Sequence, residues 1–117
     1  VCPTASKTFV KNQRDTMKRL LMALIDATHF YKTRKEEAKK VIARYTRHSN
    51  EAFLEAAYLS SAKLFEQVPL VNRDGMDVQV KDAVSRKPSS TLKVDDLVDA
   101  SLALELEKEG FIGRIYK

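Results

Sequence analysis

Three glycines and three prolines in 117 residues leave this chain few places to turn sharply, and that scarcity decides its fold class. An all-β domain needs a turn every eight to twelve residues or so, whereas a long helix needs only a start and a stop. Where Gly and Pro are rare, the apolar residues recur at helical spacing. Met17, Leu20, Leu21, Leu24, Ile25 and Tyr31 fit one face of a helix over 14–32. Ala38, Val41, Ile42 and Tyr45 form the stripe of a second. Phe53, Leu54, Ala57, Tyr58, Ser61 and Phe65 point inward from a third, closed by Pro69. The chain is expected to be mostly α, one helical domain over 1–117.

Local signals set the boundaries. Val1-Cys2-Pro3-Thr4 reads as the stub of a strand, and residues 5–11 as a short helix capped by Thr4. Asn12 is expected to cap the long helix. Thr33-Arg34-Lys35-Glu36 has the form of a capping box. Beyond Pro69, Met76, Val80, Ala83 and Val84 fit a helix better than the alternation of Met76, Val78 and Val80 fits a strand. Residues 94–98 read as a short turn. Asp99 then caps a last helix to about Glu109, and Gly110 supplies the left-handed residue that closes it, with Phe111 as the hydrophobic contact after it.

Composition excludes several classes. Hydrophobic residues at 44% and charged residues at 32% match a folded globular chain, and no apolar run reaches the roughly 20 residues of a membrane span. The first residues lack the basic stretch and apolar core of a signal peptide. The lone Cys2 has no partner for a disulfide. His29 and His48 stand nineteen positions apart with no accompanying ligand cluster, so no metal and no catalytic group is assigned to them. Asp95, Asp96 and Asp99 lack the spacing of a calcium loop and read as cap residues. No Gly-rich phosphate loop or nucleophile elbow occurs. The expectation is a non-enzyme with no cofactor.

Charge is divided unevenly. Residues 1–49 hold 12 Lys/Arg against 4 Asp/Glu, and residues 50–117 hold 9 against 12, giving +8 and −3. A small basic all-α module that binds nucleic acid is therefore one reading of Lys32, Arg34, Lys35, Lys39, Lys40, Arg44 and Arg47. Phe30, Tyr31 and Tyr45 fall on the apolar stripes, which argues against a stacking platform and for solvated helix faces with no nucleic-acid partner. A helical homo-oligomer is a third reading.

The order of the pieces resembles one family, the solute-binding proteins of ABC importers for nitrate, sulfonate, taurine and thiamine-precursor pyrimidines. The resemblance is carried by Lys11-Asn12-Gln13-Arg14-Asp15-Thr16-Met17-Lys18-Arg19-Leu20-Leu21 and by Ala27-Thr28-His29-Phe30-Tyr31-Lys32-Thr33-Arg34-Lys35-Glu36-Glu37. Ile42-Ala43-Arg44-Tyr45-Thr46-Arg47, Leu54-Glu55-Ala56-Ala57-Tyr58 and Val68-Pro69 before Asn72-Arg73-Asp74-Gly75 follow in the same order. Val94-Asp95-Asp96-Leu97-Val98-Asp99 and Leu106-Glu107-Lys108-Glu109-Gly110-Phe111-Ile112 resemble the closing helix. The chain departs from the family at Gln13-Arg14, where a proline is usual.

The resemblance implies the helical carboxy-terminal segment of a type II periplasmic-binding-protein fold, whose two α/β lobes lie mostly upstream of Val1. It implies a periplasmic or extracellular, membrane-associated protein whose partners are a small-molecule solute and an ABC permease. Thr4 and Ser6, at the strand-to-helix junction, are the expected ligand contacts. Lys35 and Lys39 are expected to face the permease, so that reversing their charge impairs transport without weakening solute binding.

Overall fold

A computed structural model describes residues 2–117, and its regular structure is helical. The order is α1 (Lys7–Asn12), α2 (Arg14–Thr33), α3 (Lys35–Thr46), α4 (Glu51–Leu64), α5 (Arg73–Arg86), a 3-10 turn at Val94–Asp96, α6 (Ser101–Lys108) and α7 (Phe111–Ile115). The mostly-α class is therefore observed. No strand occurs among the described residues; of the expected stub, Val1 lies outside them and Cys2–Thr4 are irregular.

Side-chain caps fix several starts. Asn50 accepts from the Phe53 N–H at 2.9 Å and Asn72 from the Gly75 N–H at 2.9 Å, each satisfying a backbone donor that the first helical turn leaves unpaired. Arg47 adopts a left-handed conformation (φ 57°) to end α3, and Gly110 (φ 73°) separates α6 from α7. The helix expected after Pro69 forms as α5, with Val80 buried.

Three starts differ from expectation. Ser6, not Thr4, caps α1, its hydroxyl accepting from the Phe9 N–H at 3.1 Å. Asn12 closes α1, and α2 starts after the single residue Gln13, whose carbonyl accepts from the Met17 N–H at 3.0 Å. A one-residue break leaves no free position for an Asn12 cap. The same geometry removes the expected capping box. Thr33 is still helical and its hydroxyl donates to the His29 carbonyl at 2.8 Å, while the break falls on Arg34.

The main core lies where α2 meets α6 and α7. Met17, Leu21 and Ile25, one helical face, pack on Leu102, Leu106 and Ile112, with Val10, Phe111 and Tyr116 at the edges. A polar seam borders it. Glu105 accepts from Arg14 at 2.8 Å and from Lys18 at 2.6 Å, and Lys18 also reaches Glu109 at 2.7 Å. The second packing unit is the α3–α4 hairpin, holding Ala38, Leu54 and Tyr58. Tyr31 and Tyr58 join it to α2: their rings stack at 5.0 Å, and each hydroxyl donates to a carbonyl of the other's helix. Helix α5 packs chiefly on the 3-10 turn.

These units form an open arrangement of 50 × 36 × 22 Å with a radius of gyration of 17.2 Å. A compact domain of this length has a radius of gyration of about 13 Å. The accessible surface of 8727 Å² exceeds by about 2,200 Å² that of a folded monomer of the same mass.

Candidate functional site

An open cleft of about 650 Å³ lies between the second half of α2, the segment 64–72 and the first turns of α5. Helix α2 contributes Leu24, Ile25, Thr28 and Tyr31, spaced so that one stripe serves both the core and the cleft wall. Phe65, Pro69 and Leu70 form the opposite wall, because the chain after α4 runs back across α2 without regular structure. Asn72 and Met76 close one end.

The cleft's electrostatics are one-sided. Among the described residues, no Lys, Arg or His lines it, Glu66 is its single carboxylate, and Gln67, Asn72 and Gln79 supply carboxamides. Such a lining suits apolar groups with neutral or cationic edges; an oxyanion would meet no compensating charge. Cys2 lines the cleft, whereas Thr4 and Ser6 do not. Thr4 is exposed, and the Ser6 hydroxyl accepts the α1 cap bond.

Five of the seven residues of the basic set fall into two groups. Lys39, only 5% exposed, lies between α3 and α4 with Glu36, Glu51 and Glu55 around its ammonium. Lys35 also pairs with Glu55. These hydrogen bonds, Glu51 foremost, raise the Lys39 pKa above its ordinary value, and Lys35, then Lys39, hold Glu55 below the usual carboxylate range. Lys35 and Lys39 therefore fasten two helices together, and of the two only Lys39 is withdrawn from the surface that was expected to face a permease. No local pattern signals this pairing, since Lys39 and Glu51 are twelve positions apart and meet only through the hairpin.

Lys40, Arg44 and Arg47 form the second group, exposed and without an ion-pair partner among the described residues. The expected inward stripe of α3 is only partly inward. Ala38 is buried, but Val41 is 47% exposed and Tyr45 81% exposed. Phe53, expected inward on α4, is also exposed and lies against His48 with ring centroids 4.6 Å apart. Ala38 and Lys39 are the buried residues of α3 and Lys39 pairs with Glu51 and Glu55 of α4, which leaves Val41 and Tyr45 outside the covered side.

The other singled-out residues have structural surroundings. His29 packs edge-on against Tyr116 at 4.9 Å, and burial raises the Tyr116 pKa. The Asp99 carboxylate accepts from the Ser101 N–H at 2.9 Å at the start of α6, and the bonds from Ser101 lower its pKa. Asp95 pairs with Arg73, tying the 3-10 turn to α5. No group of three or more His, Cys, Asp or Glu among the described residues is arranged to hold a metal. Among the described residues, no helix is long and apolar enough to cross a membrane.

With the cleft and the two basic groups, the class defined is an open, all-helical layer. No protein-family model, curated protein or solved structure matches this chain.

Proposed function

We propose that this chain is the helical carboxy-terminal part of a solute-binding protein of an ABC importer, of the nitrate, sulfonate, taurine and thiamine-precursor type. The ordered segments quoted above give the resemblance. The observation that carries the reading is the surplus of about 2,200 Å² of surface over a self-contained fold. A helical layer built to pack on further structure carries such a surplus. The apolar cleft between α2 and 64–72 is the seat we assign to that structure, and Leu64, Leu70 and Leu104 are further apolar residues left exposed.

In this reading the function is capture without chemistry. A solute enclosed between two lobes contacts both, so it stabilises the closed form over the open one in proportion to that difference in affinity. The closed form then docks on a membrane permease. Thr4 and Ser6 are the candidates for ligand contacts, and the Ser6 hydroxyl, which accepts the α1 cap bond, keeps its O–H to donate. The helices α2 to α7 support one lobe and do not themselves bind solute.

The genomic reading frame tests this directly. The proposal requires that the frame continue upstream of Val1 through enough residues for two lobes and an export signal. A stop codon immediately before Val1 sinks it. The surplus surface also favours a homo-oligomer of this chain as a second reading. Light scattering separates the two, because the second requires a dimer or larger at micromolar concentration and the first does not.

A further inference from the structure

The outer face of α3 combines features that a solvated helix face does not need together. Lys40 and Arg44 stand in line one turn apart on one side of α3, and Arg47 follows as the left-handed residue that ends the helix. None has a carboxylate partner among the described residues, whereas Lys35 and Lys39 of the same helix are fully engaged with α4. Beside this line stand Val41 and Tyr45, again one turn apart, and Tyr45 is the most exposed large apolar residue of the chain at 81%. Glu36 is drawn toward Lys39 at 3.6 Å, which leaves Glu37 as the nearby acidic group of the first turn without an ion pair.

From this juxtaposition we infer that the α3 face of Lys40, Arg44, Arg47, Tyr45 and Val41 docks on an anionic lipid surface. Cations held at such a surface are drawn by its negative potential, and a tyrosine with an apolar neighbour settles at the boundary between headgroups and acyl chains. A single-stranded nucleic acid fits the face less well. It requires successive rings on which bases stack, and Tyr45 stands alone, the ring of Phe53 being taken up by His48. Val41 offers a base no flat surface but offers an acyl chain a methyl pair. The docking is independent of whether the chain belongs to a solute-binding protein, so either idea survives failure of the other.

Co-sedimentation of this chain with vesicles tests the inference, comparing pure phosphatidylcholine with an equal mixture of phosphatidylcholine and phosphatidylglycerol at low salt. The expected result is binding to the anionic vesicles only, weakened as added salt screens the charges. R44Q/R47Q should lower the partition coefficient about 25-fold, at roughly fivefold per cation. Y45S should lower it further with no change of charge. A control pair, K63Q/K108Q, removes the same charge from exposed sites on α4 and α6 and should change binding less than about twofold. All substituted residues are exposed, and far-UV circular dichroism verifies that each variant keeps its helices. Equal binding to both vesicle types overturns the inference, as does a control pair as damaging as R44Q/R47Q. Binding of single-stranded DNA with no binding to anionic vesicles overturns it in favour of nucleic acid.

Discussion

Leu104 and Leu106 are two residues apart on α6 and differ almost only in what surrounds them. Leu106 is 1% exposed, seated against α2 and α7, and Leu104 is 48% exposed. Truncating Leu106 to alanine removes buried methyl groups and leaves a cavity that the facing helices fill only partly, costing about 3–5 kcal/mol. At a urea dependence of about 1–1.5 kcal/mol per molar, the unfolding midpoint should fall by roughly 2–5 M, close to abolishing a fold of ordinary stability. Leu104→Ala forfeits little burial and gains some helix propensity, so its midpoint should move by less than about 0.5 M. Urea titration followed by circular dichroism at 222 nm reads both. Equal shifts would refute the assignment of the core to the α2–α6–α7 junction, and a larger shift for Leu104 would place the core on the opposite side of α6.

Three further outcomes follow from the same geometry. Gly110→Ala forces a side chain into the left-handed region at φ 73° and should cost about 1 kcal/mol, seen as a lower melting temperature. Asn50→Ala removes the cap of α4 and should also cost about 1 kcal/mol, whereas Thr33→Ala, which removes no cap, should cost less than about half of that. Glu55 is held below its ordinary value of 4.5 by Lys35 and Lys39, so its contribution is fully present above that value and is lost as pH falls through the lower, folded pKa. The α3–α4 hairpin should therefore loosen in acid, and Glu55→Gln should flatten this part of the stability profile between pH 7 and pH 3. A profile unchanged by the substitution would remove the Lys35–Glu55–Lys39 cluster as the cause.

Where the sequence was legible, the signals were local. The stripe Met17, Leu21, Ile25, the helix around Val80 and the stop at Gly110 depend on residues within one or two turns, and each is seen in the structure. Helix breaks of one residue defeated the cap rules at Asn12 and Thr33, because continuous backbone hydrogen bonding around Gln13 and Arg34 removes the need for a cap. The α3 surface was misread for another reason. A stripe of Ala38, Val41, Ile42 and Tyr45 has helical period, but period does not say which edge of the stripe a neighbouring helix covers, and α4 covers the side of Ala38 and Lys39. The burial of Lys39 among carboxylates depends on the hairpin's register, which no local pattern encodes. The cleft was likewise out of reach, since its wall at 64–72 has no periodicity.

The functional proposal rests on solute capture, and thermal unfolding of the product of the complete reading frame tests that most directly. A ligand that binds only the folded protein stabilises it by about 2.7 kcal/mol at a hundredfold excess over its dissociation constant, enough to raise the melting temperature by several degrees. Nitrate, taurine, an alkylsulfonate and an aminopyrimidine span the solutes that the resemblance implies. The account predicts that at least one raises the melting temperature in a saturable manner while the isolated 117-residue chain responds to none. No shift with any of them, or the same shift in the isolated chain, would contradict it.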